Sequence, residues 1–171
     1  MTAIPTLTTQ RLVLRAPRLS DFDDWADYYT SPRSVFEGGP FDRLQAYRIW
    51  ASDVALWQLR GYGPFAVEDR DTGAHLGDVG IYQPAGYPAP ELGWFTVPRA
   101  EGKGIAFEAA QRVLGWLRDT TDWPHVTSII DPGNDRSIAL GLRLGGVIDP
   151  SLPGIDPGDV VIRHDLKGAQ T

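Results

Sequence analysis

A strand-like run from Glu91 to Val97 is followed by Pro98 and Arg99-Ala100-Glu101-Gly102-Lys103-Gly104, and then by an apolar stripe at helical spacing. That stripe runs through Ala106, Ala109, Ala110, Val113, Leu114 and Leu117. A strand must therefore turn into a helix within a few residues, and it does so over two glycines. Without a Cβ, these allow the backbone to come close to a ligand. The first amides of the helix have no internal partner and sit at the positive end of its dipole. A pyrophosphate fits such a place. The dipole contributes about 0.3–1 kcal/mol, and charge-assisted hydrogen bonds add to it. The ordinary alternative is that Gly102 and Gly104 only shape the turn. Two other phosphate loops are excluded by spacing. A Walker loop needs Ser or Thr after the lysine, and Lys103 is followed by Gly104. A dinucleotide fingerprint needs a third glycine where Phe107 stands, and a βαβ repeat that the preceding strands do not supply.

The rest of the chain supplies a mixed α/β (α+β) pattern. Gln10 to Ala16 alternates through Leu12 and Leu14 and reads as a strand. Ser20 reads as the N-cap of a short helix that buries Phe22, Trp25 and Tyr29 and ends before Ser31-Pro32. Phe41 to Arg60 reads as an amphipathic helix through Leu44, Tyr47, Ala51, Val54 and Trp57, stopped by Gly61. Pro64 to Glu68 and His75 to Tyr82 read as strands joined by the turn Asp71-Thr72-Gly73. Val126 to Asp131 is a further strand, Asn134 to Leu144 a further helix, and Val147 to Asp149 and Asp159 to Asp165 close the sheet. The order predicts a mostly antiparallel sheet of about seven strands, locally parallel, flanked by about four helices.

With 171 residues and no interdomain linker, the chain suits one domain with a sizeable core. It contains no cysteine, so disulfides, thiolate metal sites and a cysteine nucleophile are excluded. His75, His125 and His164 show no metal spacing, and no metal is expected. The net charge of −6 argues against nonspecific nucleic-acid binding. No signal peptide and no membrane-spanning stretch are apparent, so a cytoplasmic location is expected.

Arg99 to Gly104 resembles the Gln/Arg-x-x-Gly-x-Gly/Ala signature of the GNAT superfamily of N-acetyltransferases. Asn134-Asp135-Arg136-Ser137 with Leu140, Arg143, Leu144 and Gly145 is similar to the second block of that superfamily, in the right order. Thr9 to Arg15, Glu91 to Trp94 and Asp159 to Ile162 resemble strands of the Rim-type branch, which acetylates ribosomal-protein N-termini. Gly146 stands where the family usually has an aromatic residue. The resemblance implies a GNAT-like sheet splayed between its fourth and fifth strands, here the strands beginning at Glu91 and Val126. It also implies direct transfer of an acetyl group from acetyl-CoA to a primary amine, on a protein N-terminus or a small molecule, in a ternary complex.

Carried over residue by residue, the resemblance assigns the CoA pyrophosphate to the backbone of Gly102, Lys103, Gly104, Ile105 and Ala106. It assigns the pantetheine arm to backbone groups of Phe95, Thr96 and Val97. Asn134 is a further cofactor contact or a plain N-cap. Glu91 is the candidate general base, with Asp131 as second choice; an edge carboxylate is the alternative. Many relatives protonate the leaving thiolate with a tyrosine on the last helix, but no tyrosine follows Asp131, so Ser137 or solvent must serve. That gap keeps open a noncatalytic acyl-CoA-binding module with the same fold. A base matters most for a lysine-like amine, whose deprotonation at pH 7 costs about 4.6 kcal/mol; an α-amine costs about 1–1.4 kcal/mol. Trp25, Phe36 and Tyr82 are candidate walls of the acceptor side. A homodimer is an option that many relatives take.

Overall fold

A computed structural model describes residues 3–167. The strands are β1 (Leu7–Thr8), β2 (Leu12–Arg15), β3 (Pro64–Asp69), β4 (His75–Tyr82), β5 (Glu91–Thr96), β6 (His125–Ile130), β7 (Val147–Ile148) and β8 (Val160–Asp165). The helices are α1 (Phe22–Tyr29), α2 (Arg43–Arg60), α3 (Ile105–Thr120) and α4 (Asp135–Arg143), with short 3-10 turns at Leu19–Asp21, Pro32–Glu37 and Pro98–Ala100. All eight strands join one sheet in the order β1-β2-β3-β4-β5-β6-β8-β7. Every neighbouring pair is antiparallel except β5 and β6, which run parallel and share only the pairing Glu91 with Thr127. The sheet is therefore open from that point onward, where the splay was expected. The expected seven strands become eight because Leu7–Thr8 pairs with β2; two residues are too short to show an alternation.

Local chemistry explains the helix ends. Asp42 caps α2 by accepting from the Gln45 amide at 2.8 Å, while the Gln45 side chain accepts from the Asp42 amide at 3.0 Å. Gly61 ends α2 in the left-handed region at φ 78°. Ser20 is not the cap of α1. Asp21 takes the structural role there, accepting from the Arg18 amide at 2.7 Å and from the Arg15 guanidinium at 2.8 and 2.9 Å. The apolar face expected for α2 holds only in its second half, where Trp57 is buried and Ala51 and Val54 pack on the core. Leu44 is 58% and Tyr47 42% exposed, while Ala46, Trp50, Leu56 and Trp57 are buried. The face is set by two tryptophans seven residues apart. Trp50 packs on Phe22 at 5.5 Å between ring centres, and Trp57 packs on Phe65 at 4.9 Å.

The core runs continuously from β1 to β6, with Phe65, Leu12, Leu14, Ile81, Leu92, Leu114 and Leu117 fully buried. Helix α3 packs on β4 and β5, and α4 on β6, β7 and β8. Gly146 has no room for a side chain: a Cβ there would lie 2.4 Å from Ile162 and 2.8 Å from both the Gly141 carbonyl and His164. The departure from the family's aromatic at this position is thus absorbed by close packing of the turn on β8. Among the described residues, no helix is long and apolar enough to cross a membrane.

Candidate active site

The glycine turn has the backbone its sequence requires. Gly102 and Gly104 both lie in the left-handed region, at φ 70° and 76°, and Gly104 is the N-cap of α3. No protein acceptor among the described residues takes the N–H groups of Gly102, Lys103, Gly104, Ile105 or Ala106. Two arginines hold the turn from behind. Arg99 makes a bidentate pair with Asp24 at 2.8 and 3.0 Å and donates to the His75 carbonyl at 2.5 Å. Arg11 donates to the Lys103 carbonyl at 3.1 Å and to Glu108 at 2.7 Å. Arg99, the first residue of the signature, thus fixes the loop against α1. Asp24 also meets His75 Nδ1 at 3.0 Å, and His75 Nε2 meets Asp78 at 3.1 Å. Burial opposes charge on His75, but its two carboxylate neighbours outweigh that and raise its pKa above the usual value.

Gly102, Gly104, Ile105 and Ala106 line a cleft of about 410 Å³ whose other walls include Thr96, Asn134, Ser137 and Arg143. Glu101 crosses this cleft, paired with Arg33 on one side and with Arg136 at 3.2 Å on the other. The Lys103 side chain is exposed and does not line the cleft.

Hydrogen bonding along β5 sorts the three residues expected at the pantetheine arm. Val97 donates its N–H to the Leu76 carbonyl at 3.0 Å, and its own carbonyl accepts from Ala100 at 2.9 Å. It therefore offers no backbone group to a ligand, and its side chain is buried. In an antiparallel ladder alternate residues face the same neighbour. The backbone of Phe95 thus also turns toward β4, while those of Thr96 and Trp94 face the gap beside β6. Thr96 and Trp94 thus present backbone groups to the gap, and Phe95 lines both clefts without doing so.

Two side chains fill the ladder positions that the splay leaves empty. Glu91 Oε1 accepts the Ile129 N–H at 3.1 Å, and Ser128 Oγ donates to the Leu92 carbonyl at 2.7 Å. Behind Ser128, His164 Nε2 lies 3.1 Å from the same hydroxyl, so the imidazole is the donor and stays neutral. Burial presses its pKa down to about 4.

Beyond the splay lies a cavity of about 760 Å³. Glu91, Ser128, Asn134 and Ser137 line it, as do Phe36 and Tyr82 of the expected acceptor wall. Trp25 does not; it is a core residue stacked on Tyr29 at 3.7 Å. Desolvation pushes the Glu91 carboxyl up to about 8, with the nearby Asp159 and Asp53 charges adding to the effect. Asn134 caps α4 through Oδ1, which accepts from the Ser137 amide at 3.2 Å, leaving its NH₂ without a partner among the described residues. The Ser137 hydroxyl has no protein partner among the described residues, and the residue borders both clefts. Asp131 lines the cavity, with Oδ1 taken by the Gly133 amide at 2.7 Å.

Sequence reasoning missed Asp53. It projects into the cavity from α2, forms no hydrogen bond or ion pair among the described residues, and is pushed up to about 7 by burial and the Asp78 charge. The signal was available: Asp53 stands three residues after Trp50 and four before Trp57, a carboxylate on the buried stripe of the helix.

A mostly antiparallel sheet split between two parallel strands, with unpaired amides at one end of the gap, defines an acyltransferase class. The comparisons agree. The family profile described as Acetyltransferase (GNAT) domain matches residues 11–147. The chain is 37% identical to the acetyltransferase of Agrobacterium tumefaciens strain C58, whose crystal structure superposes with a TM-score of 0.91 over 96% of both chains. It is 33% identical over 85% of its length to the uncharacterized protein YkkB of Bacillus subtilis strain 168, covering 87% of that protein. The fold is shared with RimL, a ribosomal alpha-N-protein acetyltransferase in complex with coenzyme A, at 13% identity and a TM-score of 0.71 over 93% and 95% of the chains. The chain belongs to the GNAT family of acetyltransferases.

Proposed function

We propose that this protein transfers the acetyl group of acetyl-CoA directly to a primary amine, with both substrates bound together. One observation carries the reading: five unpaired N–H groups, from Gly102 to Ala106, stand at the end of a cleft that borders the splay beside Glu91. Those amides suit a pyrophosphate. The backbone of Thr96 and Trp94 and the free NH₂ of Asn134 suit the amide-bearing pantetheine arm, added as a strand edge would be. The thioester then lies in the gap, within reach of an amine held in the larger cavity.

The amine nitrogen attacks the thioester carbon, the C–S bond breaks, and the nitrogen loses a proton. Glu91 accepts that proton, directly or through water. A carboxyl titrating near 8 is poised to do so at neutral pH. The departing thiolate takes a proton from solvent, directly or relayed through the Ser137 hydroxyl, which regains its own from water. No tyrosine is needed for this, since a thiol is a fair leaving group.

The test is thiol release by the purified protein with acetyl-CoA and a panel of amines and N-terminal peptides. Free thiol formed in step with acetylated amine is the expected result. Tight acetyl-CoA binding with no thiol released by any acceptor would mark a noncatalytic binding module instead.

A further inference from the structure

The larger cavity has an uneven chemistry. Its lining carries six carboxylates, Glu37, Asp53, Glu91, Asp131, Asp156 and Asp159, against one basic side chain, Arg48. Four of them are partly satisfied within the chain, Glu91 by the Ile129 amide at 3.1 Å. Glu37 accepts from the Tyr28 hydroxyl at 3.0 Å, Asp131 from the Gly133 amide at 2.7 Å, and Asp159 from the Ile155 and Asp156 amides at 2.9 and 2.8 Å. Among the described residues Asp53 has no such partner, and no ion pair reaches it within 4.0 Å. It faces a space also walled by Tyr29, Phe36, Tyr82 and Trp94.

A carboxylate only accepts hydrogen bonds once ionised, and a cation bound beside Asp53 would favour that ionised form, so this wall suits a positively charged, donor-rich ligand. Aromatic faces favour the same ligand, because a cation is attracted to a ring's electron-rich face. A polypeptide entering by its N-terminus would bring one ammonium followed by neutral amides, and so no second charge for the carboxylate on α2. The reacting nitrogen cannot be the group that Asp53 neutralises. It must be uncharged to attack, and its proton is assigned to Glu91 at the splay. The carboxylate on α2 therefore calls for a second positive charge on the same acceptor, one that persists through the reaction.

We infer that the acceptor is a small dication: a primary amine joined by a short hydrocarbon spacer to a second ammonium or guanidinium group, which Asp53 and the surrounding rings hold. This rests on the transferase reading above and narrows it to one class of amine. Asp53 is then the specificity determinant of the cavity, and the protein N-terminus suggested by the Rim-type resemblance is disfavoured.

The test compares 1,4-diaminobutane, n-butylamine and a short peptide with a free N-terminus, each with acetyl-CoA, in the wild type and in Asp53→Asn. The diamine is expected to exceed the monoamine in kcat/KM by about tenfold or more, the usual scale of a hydrogen bond to a charged group. In Asp53→Asn that ratio falls toward one, with the acetyl-CoA Kd unchanged as the control for folding. Equal kcat/KM for diamine and monoamine, a preference for the peptide, or a ratio unmoved by Asp53→Asn overturns the inference while leaving acetyl transfer intact. Calorimetry with 1,4-diaminobutane alone separates the two claims. Binding that weakens about tenfold in Asp53→Asn supports the dication site even if no acceptor turns over, and absence of binding contradicts it.

Discussion

At the scale of single residues, the site depends on carboxylates whose protonation is set by burial. Glu91 is held by one backbone N–H and pushed up to about 8. As a base it works only when ionised, so kcat/KM should rise with pH through about 8 in wild type. In Glu91→Gln that limb should vanish and turnover fall by about 10²–10⁴-fold with unchanged acetyl-CoA affinity. An identical pH–rate profile in the variant would remove Glu91 as the base. His75 behaves oppositely in sign to an ordinary surface carboxylate. Its folded pKa is raised, so its contribution to stability is fully present below its unfolded value of about 6.5. That contribution is lost as pH rises through the folded value. Thermal melts across this range should show wild type losing more stability with rising pH than His75→Gln. Parallel curves for the two proteins would contradict the His75 pairing with Asp24 and Asp78.

At the scale of elements, the decisive piece is the turn into α3. Its two left-handed glycines and the apolar stripe beyond them were legible in the sequence, because backbone conformation and periodicity leave direct marks in residue type. A side chain at Gly104 would meet nothing closer than Arg11 Nη2 at 3.8 Å, so the obstacle there is the φ of 76°. Gly104→Val should cost about 1–2 kcal/mol of stability. It should also weaken acetyl-CoA binding by at least about tenfold in calorimetry, since lost charge-assisted hydrogen bonds are typically of that scale. Unchanged affinity would show that the turn does not face the donor. Helix α2 is less legible: Leu44 and Tyr47 keep the right spacing yet stay exposed, because Trp50 and Trp57 decide which face is buried. Periodicity gives the angle between residues and not the direction of the core. The cap of α2 was legible in Asp42 and Gln45, three residues apart, though the helix was expected from Phe41; Asp42→Ala should lower unfolding free energy by about 1 kcal/mol in urea titration.

At the scale of the whole molecule, the order of strands and helices was readable because each long element carries its own periodic pattern. The eight-stranded count was not, since β1 exists only through pairing with β2. The glycine turn and the open edge of β5 were legible for a related reason: they are built from local backbone, between Thr96 and Ala106. Val97 was misplaced because the alternation of the β4–β5 ladder depends on register, which the sequence of β5 alone does not contain. The acceptor end draws on α2, β5, β6 and the loops around Glu37 and Asp156, brought together only by folding. Six of the chain's 22 acidic residues gather around that one cavity, a clustering that the net charge alone does not reveal.

The account stands on the free N–H groups at the head of α3 receiving the donor's diphosphate. A titration of isotope-labelled protein with coenzyme A, followed by amide NMR, reads those groups one by one. The account predicts the largest shifts at Gly102, Gly104, Ile105 and Ala106, saturating together with the binding isotherm. Shifts confined to other parts of the chain, with these four amides unmoved at saturation, would contradict it.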